Sequence, residues 1–268
     1  MTIGLLKIFA LIIMIFDHVG EFLPNSPAWL RYIGRISAPL FFYCSAWGFY
    51  YTHNRKIYLI RLYFIGIIMG LGNMLISHYI CDNAQLTNNI FPTILLGCII
   101  IYLIERARHS IKKFIAYGMA FTSAQVFSFF LCILFAEFLE IPQQFEICTM
   151  HYFYGTIFGN IIFVEGSFLF VFYFVCVYFL KNKTILLTVY QLFFSGLIYI
   201  LVIRTQYAGG PLPYLFPYGT YQWLMLLAIP FFFLYNGKRG KNPKLLFYIF
   251  YPLHIWILFV VGYFITYP

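Results

Sequence analysis

The sequence predicts an all-α, polytopic membrane protein: a transmembrane helical bundle of about nine spans, N-terminus cytoplasmic and C-terminus outside. Three observations carry that prediction. Of 268 residues, 63% are hydrophobic and only 9% charged, whereas charged residues approach a quarter of a soluble domain. Apolar windows near the length that crosses a bilayer as a helix follow one another along almost the whole chain. The intervening loops are basic on every second connection, which is how cytoplasmic loops are marked. Since the spans consume nearly the full length, residues 1–268 read as a single integral membrane domain with no water-soluble part.

The first window, 4–23, holds Lys7, Asp17 and His18 and has no small-residue cleavage site, so it is expected to stay as a span rather than be removed as a signal peptide. Further windows lie at 34–52, 57–77, 90–104, 114–136, 158–180, 184–203, 220–235 and 245–264. The fourth and eighth are short, as tilted or re-entrant helices are, and a half-helix within 152–164 gives the alternative of ten spans. "HNRK" (53–56), "ERARHSIKK" (105–113), "KNK" (181–183) and "NGKRGKNPK" (236–244) are the basic connections and are assigned to the cytoplasm. The opposite loops hold Glu21, Asp82, Glu137, Glu140 and Glu146, and "GGPLPYLFPYG" (209–219) is a Gly/Pro-rich outer connector. The net charge of +9 falls in these short tracts rather than on one stripe, so the partner is a lipid bilayer and not nucleic acid. Six cysteines without CxxC or metal-type spacing read as core packing, and no metal is expected.

Within the spans the ionisable residues are few: Asp17, His18, Arg35, Arg61, Glu165 and His254. Such groups cannot face lipid cheaply, so each is a functional candidate. At 1.5 Å per residue, Asp17 and His18 lie about 20 Å from the cytoplasmic start of the first span. Arg35, at the outer start of the second span, falls at similar depth and can reach Asp17 across a short hairpin. Adjacent residues on a helix diverge by about 100°, so Asp17 and His18 cannot both face one substrate. The pattern fits transfer to an amine or hydroxyl, with His18 removing the acceptor's proton while Asp17 orients it or pairs with Arg35. Arg35 is the candidate donor to an oxyanion. Arg61, one turn into the third span, either snorkels or clamps a phosphate. "YNGKRG" places Asn236, Gly237, Lys238 and Arg239 in a Gly-rich turn whose backbone can approach phosphates. Glu165, Tyr251 and His254, the last two flanking Pro252, are candidate pocket residues, with packing the alternative for His254.

Taken in order, "LLKIFALIIMIFDHVG", "LRYIGRISAPLFFY", "GFYYTHNRKIYLIRLYF", "NNIFPTILLG", "YNGKRG" and "LLFYIFYPLHIWIL" resemble the TraX family. The resemblance implies a bacterial cytoplasmic-membrane protein similar to the acetylase of F-type pilin and to multi-span acyltransferases. It implies acetyl-CoA or another acyl-CoA as co-substrate and a peptide, protein N-terminus or glycan as acceptor. By the same resemblance the first-span histidine, His18, is the catalytic candidate, "GR" falls on Gly34-Arg35, "RL" on Arg61-Leu62 and "FYPLH" on Phe250 to His254. One departure is Trp47-Gly48, where an acidic residue is expected before the glycine. Two other functions use the same residues differently. A proton-coupled small-molecule transporter would relay protons through Asp17, His18 and Glu165, and a non-catalytic scaffold of a secretion or pilus system would use the charges to pair helices.

Overall fold

A computed structural model describes residues 1–81, 84–138, 147–207, 221–240 and 244–267. Among them the chain is helical with no strand: α1 (Ile3–Phe22), α2 (Trp29–Gly34), α3 (Ser37–Tyr50), α4 (Arg55–Tyr79), α5 (Ile90–Ala107), α6 (Ile111–Phe138), α7 (Ile147–Phe158), α8 (Ser167–Leu180), α9 (Thr184–Tyr207), a 3-10 segment (Gln222–Ala228), α10 (Ile229–Leu234) and α11 (Lys244–Thr266). Six are long and apolar enough to cross a membrane: α1, α4, α5, α6, α9 and α11. Ser167–Leu180 and Gln222–Leu234 are shorter apolar helices. The outer connector 209–219 and the loop acids Asp82, Glu140 and Glu146 lie outside the described residues.

The burial pattern suits a hydrocarbon solvent. On α1 one face is buried through Ile3, Leu6, Ala10, Ile13, Met14, Asp17 and His18, while Leu5, Ile8, Phe9, Ile12 and Phe16 are exposed. Both faces are apolar except for Lys7, Asp17, His18 and Glu21, so burial selects which side meets protein and lipid suits the other. On α4, Ile57, Ile60, Phe64, Ile68, Leu71 and Leu75 repeat every three or four residues on the exposed face.

The chain forms two compact units, residues 1–51 with 176–268, and residues 52–175. In the first, α1 is flanked by α2, α3 and α11. Thr2 caps α1, accepting from the Leu5 amide, and the next free amides of that end, Ile3 and Gly4, donate to the carbonyls of Lys238 and Arg239. At the other end Ser26 Oγ donates to the carbonyls of Val19 and Leu23, and Asn25 turns the chain at φ 58° into α2. Gln191 of α9 donates to the Met225 carbonyl and so holds the 3-10 segment in place.

In the second unit α4 packs on α5 and α7, and α6 packs on α5 and α7. An ion pair, Arg55–Glu105, ties the start of α4 to the end of α5. The expected span 158–180 begins later than the sequence suggests: residues 159–166 are not helical, and α8 starts at Ser167. Gly159 (φ +67°) stops α7, and the chain then folds back until Phe163 crowds Gly155 and stacks on Phe129. A Cβ on Gly155 would overlap the Phe163 carbonyl oxygen, so this return requires glycine there.

Irregular backbone within a span needs protein partners for its polar groups. Here Gln125 supplies two, donating to the Gly159 carbonyl at 3.0 Å and accepting the Ile161 amide at 2.7 Å. Asn160 donates to the Gln125 carbonyl and to Ser128 Oγ, and Thr93 Oγ1 donates to the Glu165 carbonyl. The apolar periodicity of 158–180 concealed this break because the residues that satisfy it stand on α5 and α6.

Candidate functional site

Asp17 sits on the buried face of α1 one turn before Glu21, and Arg31 and Arg35 sit one turn apart across the α1–α2 hairpin. The two spacings match, and the four charges interlock. Arg35 Nη2 is paired to both carboxylate oxygens of Asp17. Arg31 Nη1 lies 3.0 Å from Asp17 Oδ1 and 2.6 Å from Glu21 Oε2, and donates to the Asp17 carbonyl at 3.1 Å. Two guanidinium groups against two carboxylates leave the cluster neutral, the condition under which ionised groups tolerate burial. Gly34 permits the approach, because a Cβ there would overlap the Asp17 side chain.

Arg35 has a third partner: Nη1 donates to Gln222 Oε1 at 2.6 Å. Its Nε–H is buried and has no acceptor among the described residues. A guanidinium N–H in that state is a donor with unused capacity, the property a developing oxyanion requires.

His18 has a different partner from Asp17, as the divergence of adjacent helical residues allows. Its Nδ1 lies 2.8 Å from Nε2 of His254, whose Nδ1 lies 2.7 Å from the Phe250 carbonyl oxygen. Both imidazoles are buried. Phe22 stacks on His18 with ring centroids 5.7 Å apart, Phe250 stacks on His254 at 5.0 Å, and buried Tyr251 stands edge-on to His254 at 5.9 Å. The register of α11 on α1 is set where Gly262 meets the Phe22 carbonyl, a point at which a Cβ would overlap that oxygen.

The donor atoms of Asp17, His18 and Glu21 lie within 4.8 Å of one another. A cation could be bridged at that spacing, but both carboxylates are already engaged by guanidinium groups whose charge opposes a dication.

The remaining candidates are dispersed. The loop at Asn236–Arg239 turns through Gly237 (φ +76°) and then Gly240 (φ +66°), which packs against Thr2. Its Asn236 amide donates to the Met1 carbonyl and its Lys238 amide to Asn236 Oδ1, so these two N–H groups are committed within the chain. The side chains of Lys238 and Arg239 are exposed. Arg61 is exposed on α4, in the second unit. Glu165, expected as a buried acid inside a helix, is half-buried in the non-helical return and lines a pocket of about 10 Å³ with Asn73, Asn89 and Thr156, room for about one water. Trp47, the departure from the expected acid, lies under the buried Lys181 ammonium at 5.7 Å, with Tyr50 and Tyr178 at 4.4 and 3.8 Å. Ring faces there hold a cation where a carboxylate is expected.

The model of the TraX protein family matches residues 3–135. These residues belong to the TraX family. The match contains the Asp17–Arg35 pair, His18 and Arg61, while Gln222 and His254 lie beyond it. Along nearly its whole length, 94% of this chain and 92% of the relative, the sequence is 26% identical to the probable fimbrial assembly protein FimC, serogroup H1, of Dichelobacter nodosus. It is 29% identical over 47% of this chain to the uncharacterized protein RP591 of Rickettsia prowazekii (strain Madrid E), covering 46% of that protein. No solved structure matches the chain.

Arg31, Glu21 and Gln222 are site residues that the sequence reading did not single out as such. The first two had a signal, one-turn spacing of Asp17 with Glu21 complementary to that of Arg31 with Arg35. Gln222 had none, since a neutral amide 187 residues from Arg35 is brought there only by the fold.

Proposed function

We propose that this TraX-related chain is a membrane acyltransferase that moves an acetyl or other acyl group from cytosolic acyl-CoA to an amine or hydroxyl of an extracytoplasmic acceptor. The single observation that carries the reading is a buried histidine in the same turn of α1 as a neutralised ion-pair cluster whose Arg35 Nε–H has no acceptor among the described residues. His18 takes the proton from the attacking amine or hydroxyl as its bond to the acyl carbon forms. Arg35 donates to the carbonyl oxygen as charge develops there, already anchored by Asp17 and Gln222. The carbon–sulfur bond then breaks and the proton passes to the CoA thiolate. Exposed Lys238 and Arg239 supply cationic side chains for the CoA phosphates, and the alternation of basic loops supports a cytoplasmic N-terminus and a cytoplasmic position for that loop. The bacterial cytoplasmic membrane, about nine spans, and a peptide, protein N-terminus or glycan acceptor belong to the same reading.

A second reading has its own support. The similarity to a protein named for fimbrial assembly favours a non-catalytic scaffold in a pilus system, with the charge cluster serving only to pair α1 with α2. Purified protein separates the two. Consumption of acetyl-CoA, abolished in His18→Ala while the variant remains folded, supports the enzyme. Indifference to acetyl-CoA by turnover and by thermal stability supports the scaffold.

A further inference from the structure

With both rings neutral, the imidazole pair contains a hydrogen-bond order that only one arrangement of protons satisfies. A carbonyl oxygen accepts and never donates, so the 2.7 Å contact between Phe250 O and His254 Nδ1 requires hydrogen on that nitrogen. A neutral imidazole carries one N–H, which leaves His254 Nε2 as a bare acceptor. That acceptor lies 2.8 Å from His18 Nδ1, which must then hold the hydrogen of its own ring. The lone pair of His18 is thereby confined to Nε2. Neutral rings also fit their surroundings, since Arg31 and Arg35 already balance Asp17 and Glu21. The flanking rings, Phe22 beside His18 and Phe250 beside His254, fix the two planes.

We propose that His254 is a positioning residue: it reads the Phe250 carbonyl, locks His18 in its Nδ1–H form and directs the His18 Nε2 lone pair to the reacting proton. The tautomer follows from the hydrogen bonds of two neutral rings, whereas its use in transfer rests on the acyltransferase reading. In that use the acceptor's proton moves to His18 Nε2 as its N–C or O–C bond forms. The imidazolium keeps its Nδ1–H on His254 Nε2, and the new proton leaves with the CoA sulfur as the thioester bond breaks. This assigns His254 a task different from lining a substrate pocket, and it links the last helix to the first.

The test uses the full chain in lipid nanodiscs with ¹⁵N-labelled histidine, reading which ring nitrogen of His18 is protonated. Wild type is expected to show Nδ1–H and a bare Nε2, and a wild-type His18 protonated at Nε2 overturns the proposal. In His254→Phe, which keeps an aromatic ring but no acceptor, the Nε2–H form grows at the expense of Nδ1–H. In His254→Gln, whose amide oxygen restores an acceptor, the Nδ1–H form returns. An unchanged tautomer in His254→Phe likewise overturns it, and if that variant does not fold, the wild-type spectrum still decides. Acetyl transfer by the same proteins is expected to fall about 100-fold in His254→Phe and to stay within about 10-fold of wild type in His254→Gln. Measurable and equal transfer by wild type and His254→Phe overturns the positioning role. Wild type that transfers nothing while the tautomers behave as stated refutes acyl transfer and leaves the hydrogen-bond assignment standing.

Discussion

Gly34→Ala is the sharpest probe of the charge cluster, because the new Cβ would occupy the space of Asp17 Cβ, Cγ and Oδ1. None of these atoms is the free end of a flexible chain: Asp17 is anchored by Arg35 and Arg31, and its carbonyl accepts from Arg31. The hairpin must therefore open rather than the side chain swing away. Overpacking of this kind costs about 2 kcal/mol, which for a chain of this size lowers the midpoint by about 4–8 °C. A shift of about an ångström at the reacting centre is worth about 100-fold in rate. The assay is a thermal melt in detergent beside acetyl-CoA turnover. Gly196→Ala on α9 is the control, because a Cβ there meets no atom of the described residues within 4 Å. It should keep or raise the midpoint. A Gly34→Ala protein that melts with wild type and turns over normally would refute the close approach of α2 to Asp17.

Other perturbations test neighbouring parts. Asp17→Ala should cost about 3–5 kcal/mol, because Arg35 loses its carboxylate partner, whereas Arg35→Ala should cost less, because Asp17 keeps Arg31; the double variant should recover part of the Asp17→Ala loss in a denaturation series. Gln125→Leu removes both side-chain bonds to the 159–166 return, a loss of about 2 kcal/mol; it should raise thiol labelling of a cysteine placed at Ile162, while labelling at Ile198 on α9 stays low. Gly240→Ala meets both a left-handed φ of +66° and Thr2, so it should loosen the start of α1 and speed amide exchange at Ile3 and Gly4 more than at Met14.

Helix existence was legible in the sequence because lipid-facing and protein-facing sides of a span are both apolar, and long apolar windows therefore mark α1, α4, α5, α6, α9 and α11 well. The same property hid the break at 159–166: hydropathy does not register a turn whose backbone is satisfied by Gln125 and Thr93 from other helices. The reach of Arg35 to Asp17 was legible from hairpin geometry, since their depths follow from residue count. The companion of His18 was not. The sequence places Asp17 next to it, yet a 100° rotation per residue sends Asp17 to the arginines and His18 to His254. That partnership depends on α11 returning beside α1, which Gly262 and Phe22 set by close packing.

The most direct measurement compares cells carrying the wild-type chain with cells carrying His18→Ala at equal membrane levels, by intact mass of their pilin-like and other surface peptides and glycans. The acyltransferase account expects at least one surface species to be heavier by an acyl group in the wild type alone. Identical mass profiles in the two strains, with both proteins folded and inserted, would contradict it.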